Sequence, residues 1–261
     1  MLITLTTDFG HQDPFVGIMK GVIATINPKA KVIDLCHGVP PQDVMAGALI
    51  LQNSIRYFPR GTIHLVVVDP GVGSARRPLL IEADSNYFIG PDNGVLSLAL
   101  AGKSADRIVA LSNRAYHLQP TGETFHGRDI FAPVAAHLSL GVAVEEFGES
   151  VADFTEIAFP ALADLERNNI EGQIVYIDAF GNLFTNIREH DLTGLPSDRL
   201  EIAVGPVTIH GLATSYAAAS AGELVALVNS WGLLEIAENR GNAAQRSGAK
   251  VGDKVKLSLR E

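Results

Sequence analysis

Val66-Val67-Val68-Asp69-Pro70-Gly71-Val72-Gly73-Ser74-Ala75-Arg76-Arg77 decides how this chain folds. A run of valines without polar alternation suits a strand buried on both faces of a parallel sheet. Asp-Pro-Gly then stops the strand at a sharp turn, since proline presets the backbone and aspartate bonds nearby N–H groups. In open α/β sheets, ligands bind in the turns beyond the carboxyl ends of strands. Gly71 and Gly73 permit a tight turn that carries Arg76 back towards Asp69. The stretch is not a dinucleotide fingerprint, because the third glycine is missing and Arg76-Arg77 occupies the expected helix start. It is not a phosphate loop either, because Gly-Lys-Ser/Thr is absent. Arg76 stays charged and cannot serve as a base, but it can orient an anion or a polarised water, or pair with Asp69. Arg77, next to Pro78, is expected to point away as a surface arginine.

The elements on either side extend this reading. Leu2 to Thr7 reads as a strand ending at Asp8-Phe9-Gly10. Asp13 as N-cap and Pro14 at the first helical position predict a helix whose apolar positions are Phe15, Ile18, Met19, Val22 and Ile26. Lys31 to Leu35 reads as a second strand, Asp43 opens a helix running to about Ile55, and His64 to Val68 is the third strand. Leu79 to Ile81 and Tyr87 to Ile89 follow as strands, Val95 to Leu100 as a short helix, and Phe131 to Leu140 as an amphipathic helix. This alternation predicts an α/β N-terminal domain, residues 1–160, with a mainly parallel sheet. Pro160 to Asn169 has the composition of a linker. Short strand candidates then recur at Gly172–Ile177, Leu183–Ile187, Leu200–Val204, Val207–His210, Leu224–Val228 and Val255–Leu259. They predict a smaller all-β, barrel-like C-terminal domain, residues 168–261.

Composition narrows the function classes. The chain has 261 residues, 47% hydrophobic and 19% charged, which argues against disorder, and a formal net charge of −9. That balance speaks against nucleic acid, which requires a basic stripe, and is compatible with a cationic small substrate. The single cysteine, Cys36, cannot form an internal disulfide and is expected as a small buried core residue in a reducing compartment. The N-terminus lacks a basic flank and reaches Asp8 too soon for a signal peptide, and no apolar stretch is long enough for a bilayer. A cytoplasmic protein without a membrane partner is the expectation.

A second polar segment, Phe125-His126-Gly127-Arg128-Asp129, stands just ahead of the Phe131 helix. Together with the Asp69 turn it offers a carboxylate, guanidinium groups and an imidazole, a set suited to moving a proton or positioning a water. Arg128 and Asp129 read as a local ion pair that fixes the loop, and Asp92 in Gly90-Pro91-Asp92-Asn93-Gly94 as a structural turn residue. Asp8, Asp69, Asp92 and His126 lack any recognised metal-ligand spacing, and Arg76 would oppose a cation, so no metal is expected. In the second half, Asp178-Ala179-Phe180-Gly181-Asn182-Leu183-Phe184 is a polar and aromatic interruption between strands. It reads either as a Gly-Asn hairpin or as a purine site with Phe184 stacking and Asn182 bonding the base edge. Asn229-Ser230-Trp231-Gly232 and Gly241-Asn242-Ala243-Ala244 are further turns with polar groups to offer a carboxylate.

Six motifs then occur in a telling order: Thr6-Thr7-Asp8-Phe9-Gly10, the Asp69 turn with Arg76-Arg77, Gly90-Pro91-Asp92-Asn93-Gly94, Phe125-His126-Gly127-Arg128-Asp129, Phe180-Gly181-Asn182 and Asn229-Ser230. Over nearly its whole length the chain resembles the S-adenosyl-L-methionine (SAM) hydroxide adenosyltransferases, or SAM hydrolases, relatives of the fluorinases and chlorinases. The resemblance implies a trimer with active sites between subunits. It also implies a reaction in which water or hydroxide displaces L-methionine from the 5′ carbon and leaves adenosine. Asp69, Arg76 and His126 match the family's catalytic set, and their retention favours hydroxide over halide. Asp8 is implied for the ribose diol, Asp13 and Asp178 for the methionine ammonium, and Ser230 for its carboxylate. Asn182 and the backbone near Ala243 are implied for adenine, with Phe184 and Tyr216 as stacking faces. Trp231 stands where halogenating relatives have an arginine, so a backbone N–H would take over at the carboxylate. No cofactor is implied, SAM being the substrate. The alternatives are a halide-using adenosyl transferase, a non-catalytic nucleoside-binding module and, more distantly, a metal-dependent hydrolase.

Overall fold

The valine run lies inside a seven-stranded sheet. A computed structural model describes residues 1–165 and 169–260, and the chain divides into two units, Met1–Ala158 and Phe159–Glu261. Strands of the first unit are β1 (Leu2–Thr7), β2 (Lys31–Cys36), β3 (Ile63–Val67), β4 (Pro78–Ala83), β5 (Asn86–Pro91), β6 (Ala105–Ala110) and β7 (Glu149–Ser150), in the order β2-β1-β3-β5-β4-β6-β7. Its helices are α1 (Phe15–Ile26), α2 (Val44–Ser54), α3 (Ser97–Leu100) and α4 (Ala132–Ser139).

Alternate residues of the central strands face opposite ways and are covered on both sides. Ile3, Leu5, Ile63, Leu65 and Val67 are buried with Val16, Met19 and Ile23 of α1 and with α4. On the other face α2 comes so near that a Cβ at Gly47 would stand 3.1 Å from both Val68 and Val95. Asp43 caps α2, its carboxylate accepting the Ala46 N–H at 2.9 Å, a bond worth about 1 kcal/mol.

The mainly parallel sheet holds for half of the strand pairs. β2, β1, β3 and β5 are parallel neighbours, whereas β5–β4, β4–β6 and β6–β7 are antiparallel. The reason is loop length: Ala83 pairs with Asn86, so only Asp84 and Ser85 turn the chain, both at positive φ. Two residues make a hairpin, while a parallel return needs a crossover of a dozen or more. β6 and β7 have no counterpart among the expected strands.

Three local expectations change. Asp13 does not cap α1; Pro14 takes that position without a side-chain bond, and Asp13 is exposed. Cys36 is partly exposed, because β2 is the sheet's edge strand. The segment ahead of α4 is a wide turn, Gly127–Phe131, in which the Ala132 N–H reaches Gly127 O five residues back. α4 itself is buried almost all round rather than amphipathic.

The second unit is an antiparallel sheet. Its strands are β8 (Ala163–Leu165), β9 (Asn169–Ile177), β10 (Leu183–Arg188), β11 (Leu200–Val204), β12 (Val207–His210), β13 (Leu224–Val228), β14 (Leu233–Glu238) and β15 (Lys254–Leu259). They run in the order β12-β11-β15-β9-β10-β14-β13, with β8 on β9. A bridge from Ala213 to Leu227 ties the segment after β12 to the far strand, so the sheet curls towards a barrel. Residues 166–168, inside the expected linker, lie outside the described residues. β14 was not expected, nor was β8, which pairs with β9 inside the stretch read as a linker, nor the short helix α5 (Ala243–Ser247), where the sequence suggested only a turn.

Candidate active site

Asp8 and Asp69 leave the sheet side by side. Thr7 of β1 pairs in parallel with Val67 of β3, so the residues that follow emerge at the same carboxyl end. The chain after β3 turns back at once: Val72 N–H bonds Asp69 O at 3.2 Å, and Ser74 N–H bonds Gly71 O at 3.0 Å. Gly73 makes this possible, with φ +77° and its α-carbon so close that a Cβ would fall 2.7 Å from Glu123 O. The turn delivers Arg76 onto Asp69, with Nε donating to Oδ1 at 2.9 Å and Nη2 to Oδ2. Both side chains are nearly buried, at 8% and 5% exposure.

The loop carrying His126 is held from beneath by Asp129. This wholly buried carboxylate accepts Arg128 Nε at 2.6 Å, Arg128 Nη2 at 2.9 Å and the Gly122 N–H at 2.9 Å. Those bonds hold the Asp129 carboxyl below the usual range against the opposing effect of burial. The expected ion pair is therefore present.

Arg76 then joins the two loops, its Nη2 lying 2.7 Å from His126 Nδ1. A guanidinium can only donate, so Nδ1 accepts and the ring proton sits on Nε2. Burial first, and then the Arg76 charge, hold His126 below its usual value, against Asp69, Asp129 and Glu123. Arg76 Nη1 is buried without a partner, and the guanidinium carbon stands 5.5 Å over the Phe131 ring.

Asp8, Asp13, Asp69 and His126 line one cavity of about 860 Å³, a volume suited to a small molecule. Arg76 stands behind its wall. Phe9, Phe15 and Phe125 form an aromatic side, with ring centroids 5.3–5.7 Å apart. Asp8 Oδ2 accepts the Gln42 N–H at 2.8 Å. Gln42 lines the cavity at φ +66°, a strained position for a non-glycine residue that sequence reading missed. Arg77 does not point away; it bonds Asp92 at 2.7 Å and Asp153 at 2.9 Å and anchors the Pro91-Asp92 loop.

The second unit gathers its own candidates. Asp178 organises the β9–β10 hairpin, Oδ1 accepting the Phe180 and Asn182 N–H groups at 2.9 Å and Oδ2 accepting Asn182 Nδ2 at 3.0 Å. Gly181 O takes the Ala244 N–H at 2.9 Å, which docks the hairpin against the start of α5 beside the buried Ala243. Phe184 is 8% exposed, its ring in T-shaped contact with Trp231 and Tyr176. Ser230 is exposed in the β13–β14 turn, where Asn229 Oδ1 accepts the Trp231 N–H at 2.9 Å. Tyr216 is half-exposed and donates its hydroxyl to Glu235 Oε1 at 2.8 Å. Burial raises the Glu235 carboxyl, and burial together with Glu235 raises the Tyr216 phenol. Glu235 was not singled out in the sequence, though an acid inside Leu233-Leu234-Glu235-Ile236 was a legible signal. Among the described residues no group of three or more His, Cys, Asp or Glu is disposed to hold a metal ion, and no helix is long and apolar enough to cross a membrane.

A carboxylate, a guanidinium and an imidazole joined beyond the carboxyl ends of the parallel strands β1 and β3, beside a cavity lined by further acids, fit the family indicated by the motifs. The chain belongs to the SAM hydroxide adenosyltransferase family. Residues 3–148 match the model of the family's N-terminal domain and residues 172–256 that of its C-terminal domain. It is 38% identical to a protein of Salinispora tropica named (R)-S-adenosyl-L-methionine hydrolase, over 98% of this chain and 97% of that one. A protein of the same name from Thermus thermophilus is 37% identical over 96% and 97%. A fluorinase of Nocardia brasiliensis aligns at 27% identity over 99% and 97%. Among solved structures, an uncharacterized conserved protein from Thermotoga maritima superposes with a TM-score of 0.90 at 35% identity, covering all of both chains.

Proposed function

We propose that this protein hydrolyses SAM to adenosine and L-methionine by attack of water at the 5′ carbon. The observation that carries the reading is the Asp69–Arg76–His126 constellation, joined through one guanidinium at the edge of the cavity. A sulfonium leaves as a neutral thioether, so no general acid is required. The protein must hold one water in line and keep bulk solvent out. The oxygen–carbon bond forms as the carbon–sulfur bond breaks, its electron pair goes to sulfur, and the oxygen sheds a proton. Asp69 and His126 are the two members of the set able to act as the base, since Arg76 stays charged. His126 Nδ1 has a single lone pair, taken by Arg76, and Nε2 carries a proton, so the imidazole holds the water. Each Asp69 oxygen keeps a second lone pair beside its bond to Arg76, and Asp69 receives the proton. Arg76 keeps both in that arrangement and stabilises the developing hydroxide.

Asp8 then takes the ribose diol and Asp13 the ammonium. With active sites between the subunits of a trimer, the second unit offers Asp178 to the ammonium, Ser230 to the carboxylate, and Asn182, the Ala243 backbone and Tyr216 to adenine, with Phe184 behind them. The acids suit a substrate bearing a sulfonium and an ammonium. The reading needs no metal or cofactor, so a chelator should leave the rate unchanged. A homotrimer in the cytoplasm completes the reading. Phe15, Ile18 and Leu118 form an exposed apolar strip that supports self-association, and Cys36 as the lone thiol suits a reducing compartment.

The test is incubation with SAM in halide-free buffer, followed by chromatography and mass spectrometry. Equimolar adenosine and methionine, abolished in Asp69→Ala, is the expected result. Product formed only with added chloride, as a 5′-halo nucleoside, would establish halide transfer instead. Adenosine bound without turnover would establish a binding module.

A further inference from the structure

His37 follows the edge strand β2 and is 2% exposed, yet it has no part in the chemistry above. We propose that His37 is a positioning residue: its neutral ring fixes the Thr7-Asp8-Phe9-Gly10 loop so that the Asp8 carboxylate meets the 2′,3′-diol of a ribose. The proposal rests on the reading of the cavity as a nucleoside site.

A count of protons sets the direction of each bond. Asp34, whose carboxylate only accepts, faces Nε2 of the neutral ring and draws the ring proton there. The Phe9 N–H donates to Thr7 Oγ1 at 3.3 Å, and the Thr7 hydroxyl turns its own proton to the imidazole. His37 Nδ1, 2.9 Å away, accepts it. The ring proton is therefore on Nε2, which lies 3.0 Å from Asp34 Oδ1 but off the line of a straight hydrogen bond, so that contact is mainly electrostatic. Lys20 Nζ holds the other Asp34 oxygen at 2.5 Å. From its backbone, His37 O accepts the Gly10 N–H at 2.8 Å. One buried residue thus grips the loop on both sides of Asp8, through Thr7 before it and Gly10 after it. Burial keeps the imidazole below its usual value, with His11 and Lys20 adding to this and Asp34 opposing it.

The test pairs loop variants with diol removal from the ligand. Dissociation constants of adenosine and 2′,3′-dideoxyadenosine are measured calorimetrically for the wild type, His37→Leu, His37→Asn and Thr7→Val. Two hydrogen bonds to a carboxylate give the wild type a preference for adenosine of about 10- to 100-fold. His37→Leu and Thr7→Val reduce that preference to about threefold or less, and His37→Asn, whose side-chain oxygen takes the place of Nδ1, restores most of it. Should His37→Leu fail to fold, the near-isosteric Thr7→Val decides. Variants that lose affinity for both ligands equally would show His37 to be merely structural and overturn this assignment alone. A wild type indifferent to the diol would overturn the nucleoside reading, and the assignment with it.

Discussion

Arg76 Nη2 stands 2.7 Å from Nδ1 of His126, and the same nitrogen bonds Asp69. One guanidinium therefore ties together two groups on separate loops and fixes the ring proton of His126 on Nε2. Arg76→Ala should lower kcat by about 100-fold or more, in line with the loss of a preorganised electrostatic donor, and change KM only a few-fold. Steady-state kinetics separate the two parameters, and a loss confined to KM would remove Arg76 from the chemistry.

The same contact has a pH signature that does not depend on turnover. Arg76 is the second cause, after burial, holding His126 below its ordinary value, while Asp69 pulls the other way. Arg76→Ala removes the first charge and leaves the second, so His126 should titrate at higher pH in the variant. NMR of the ring protons reads this directly; an unchanged or lower midpoint would contradict the geometry.

Gly73 has no room for a side chain. Its φ of +77° and the 2.7 Å approach of Glu123 O mean that Gly73→Ala strains the backbone and collides with main chain. The cost is about 1–3 kcal/mol, and because the turn delivers Arg76 to Asp69, activity should fall with stability. Val72→Ala, one residue away on an exposed position, serves as the control in thermal unfolding.

Asp129 is wholly buried and Arg128 is its ion-pair partner. Arg128→Ala strands a carboxylate with only the Gly122 N–H as partner and, because Arg128 is itself partly exposed and water can take its place, should cost about 1–2 kcal/mol. Replacing both residues, Arg128→Ala with Asp129→Ala, should cost less than the sum of the single changes. Denaturant unfolding of the four proteins gives the coupling, and strict additivity would mean that the pair contributes nothing jointly.

His64, stacked on Phe88 and bonded to Thr4 Oγ1 at 2.9 Å, is pushed by burial to about 4. Above pH 6.5 neither the folded nor the unfolded state protonates it. Below that, the unfolded chain takes up a proton that the folded one refuses, so stability falls as the pH drops. The loss reaches about 3 kcal/mol near pH 4. His64→Asn keeps a hydrogen-bonding partner for Thr4 without the titration, and its unfolding free energy should fall less steeply over that range. Parallel slopes would show that His64 is not the group responsible.

Much of this arrangement was legible in the sequence because it depends on local chemistry. The Val66–Val68 run and the Leu2–Thr7 run could be read as buried strands, and a parallel pair places Asp8 beside Asp69 without further information. Asp43 was readable as a cap, since a carboxylate ahead of an apolar run has one dominant use there. What escaped depends on distant partners. Arg77 looked solvent-facing until Asp153 came to meet it. Phe184 packs against Trp231, nearly fifty residues away, a contact that no local signal announces. The antiparallel half of the first sheet turned on two residues, Asp84 and Ser85, whose left-handed conformation leaves no glycine signature.

The wide turn Gly127–Phe131 stores an angle. A regular helix rotates about 100° per residue, so the one residue accommodated there sets His126 more than a quarter-turn away from where an uninterrupted helix would present it. Side-chain chemistry does not carry that offset; the length of the backbone does. Deleting a single residue from the turn could leave α4 helical and its core filled while the imidazole faces another direction. The segment is thus far more tolerant of changed letters than of a changed count.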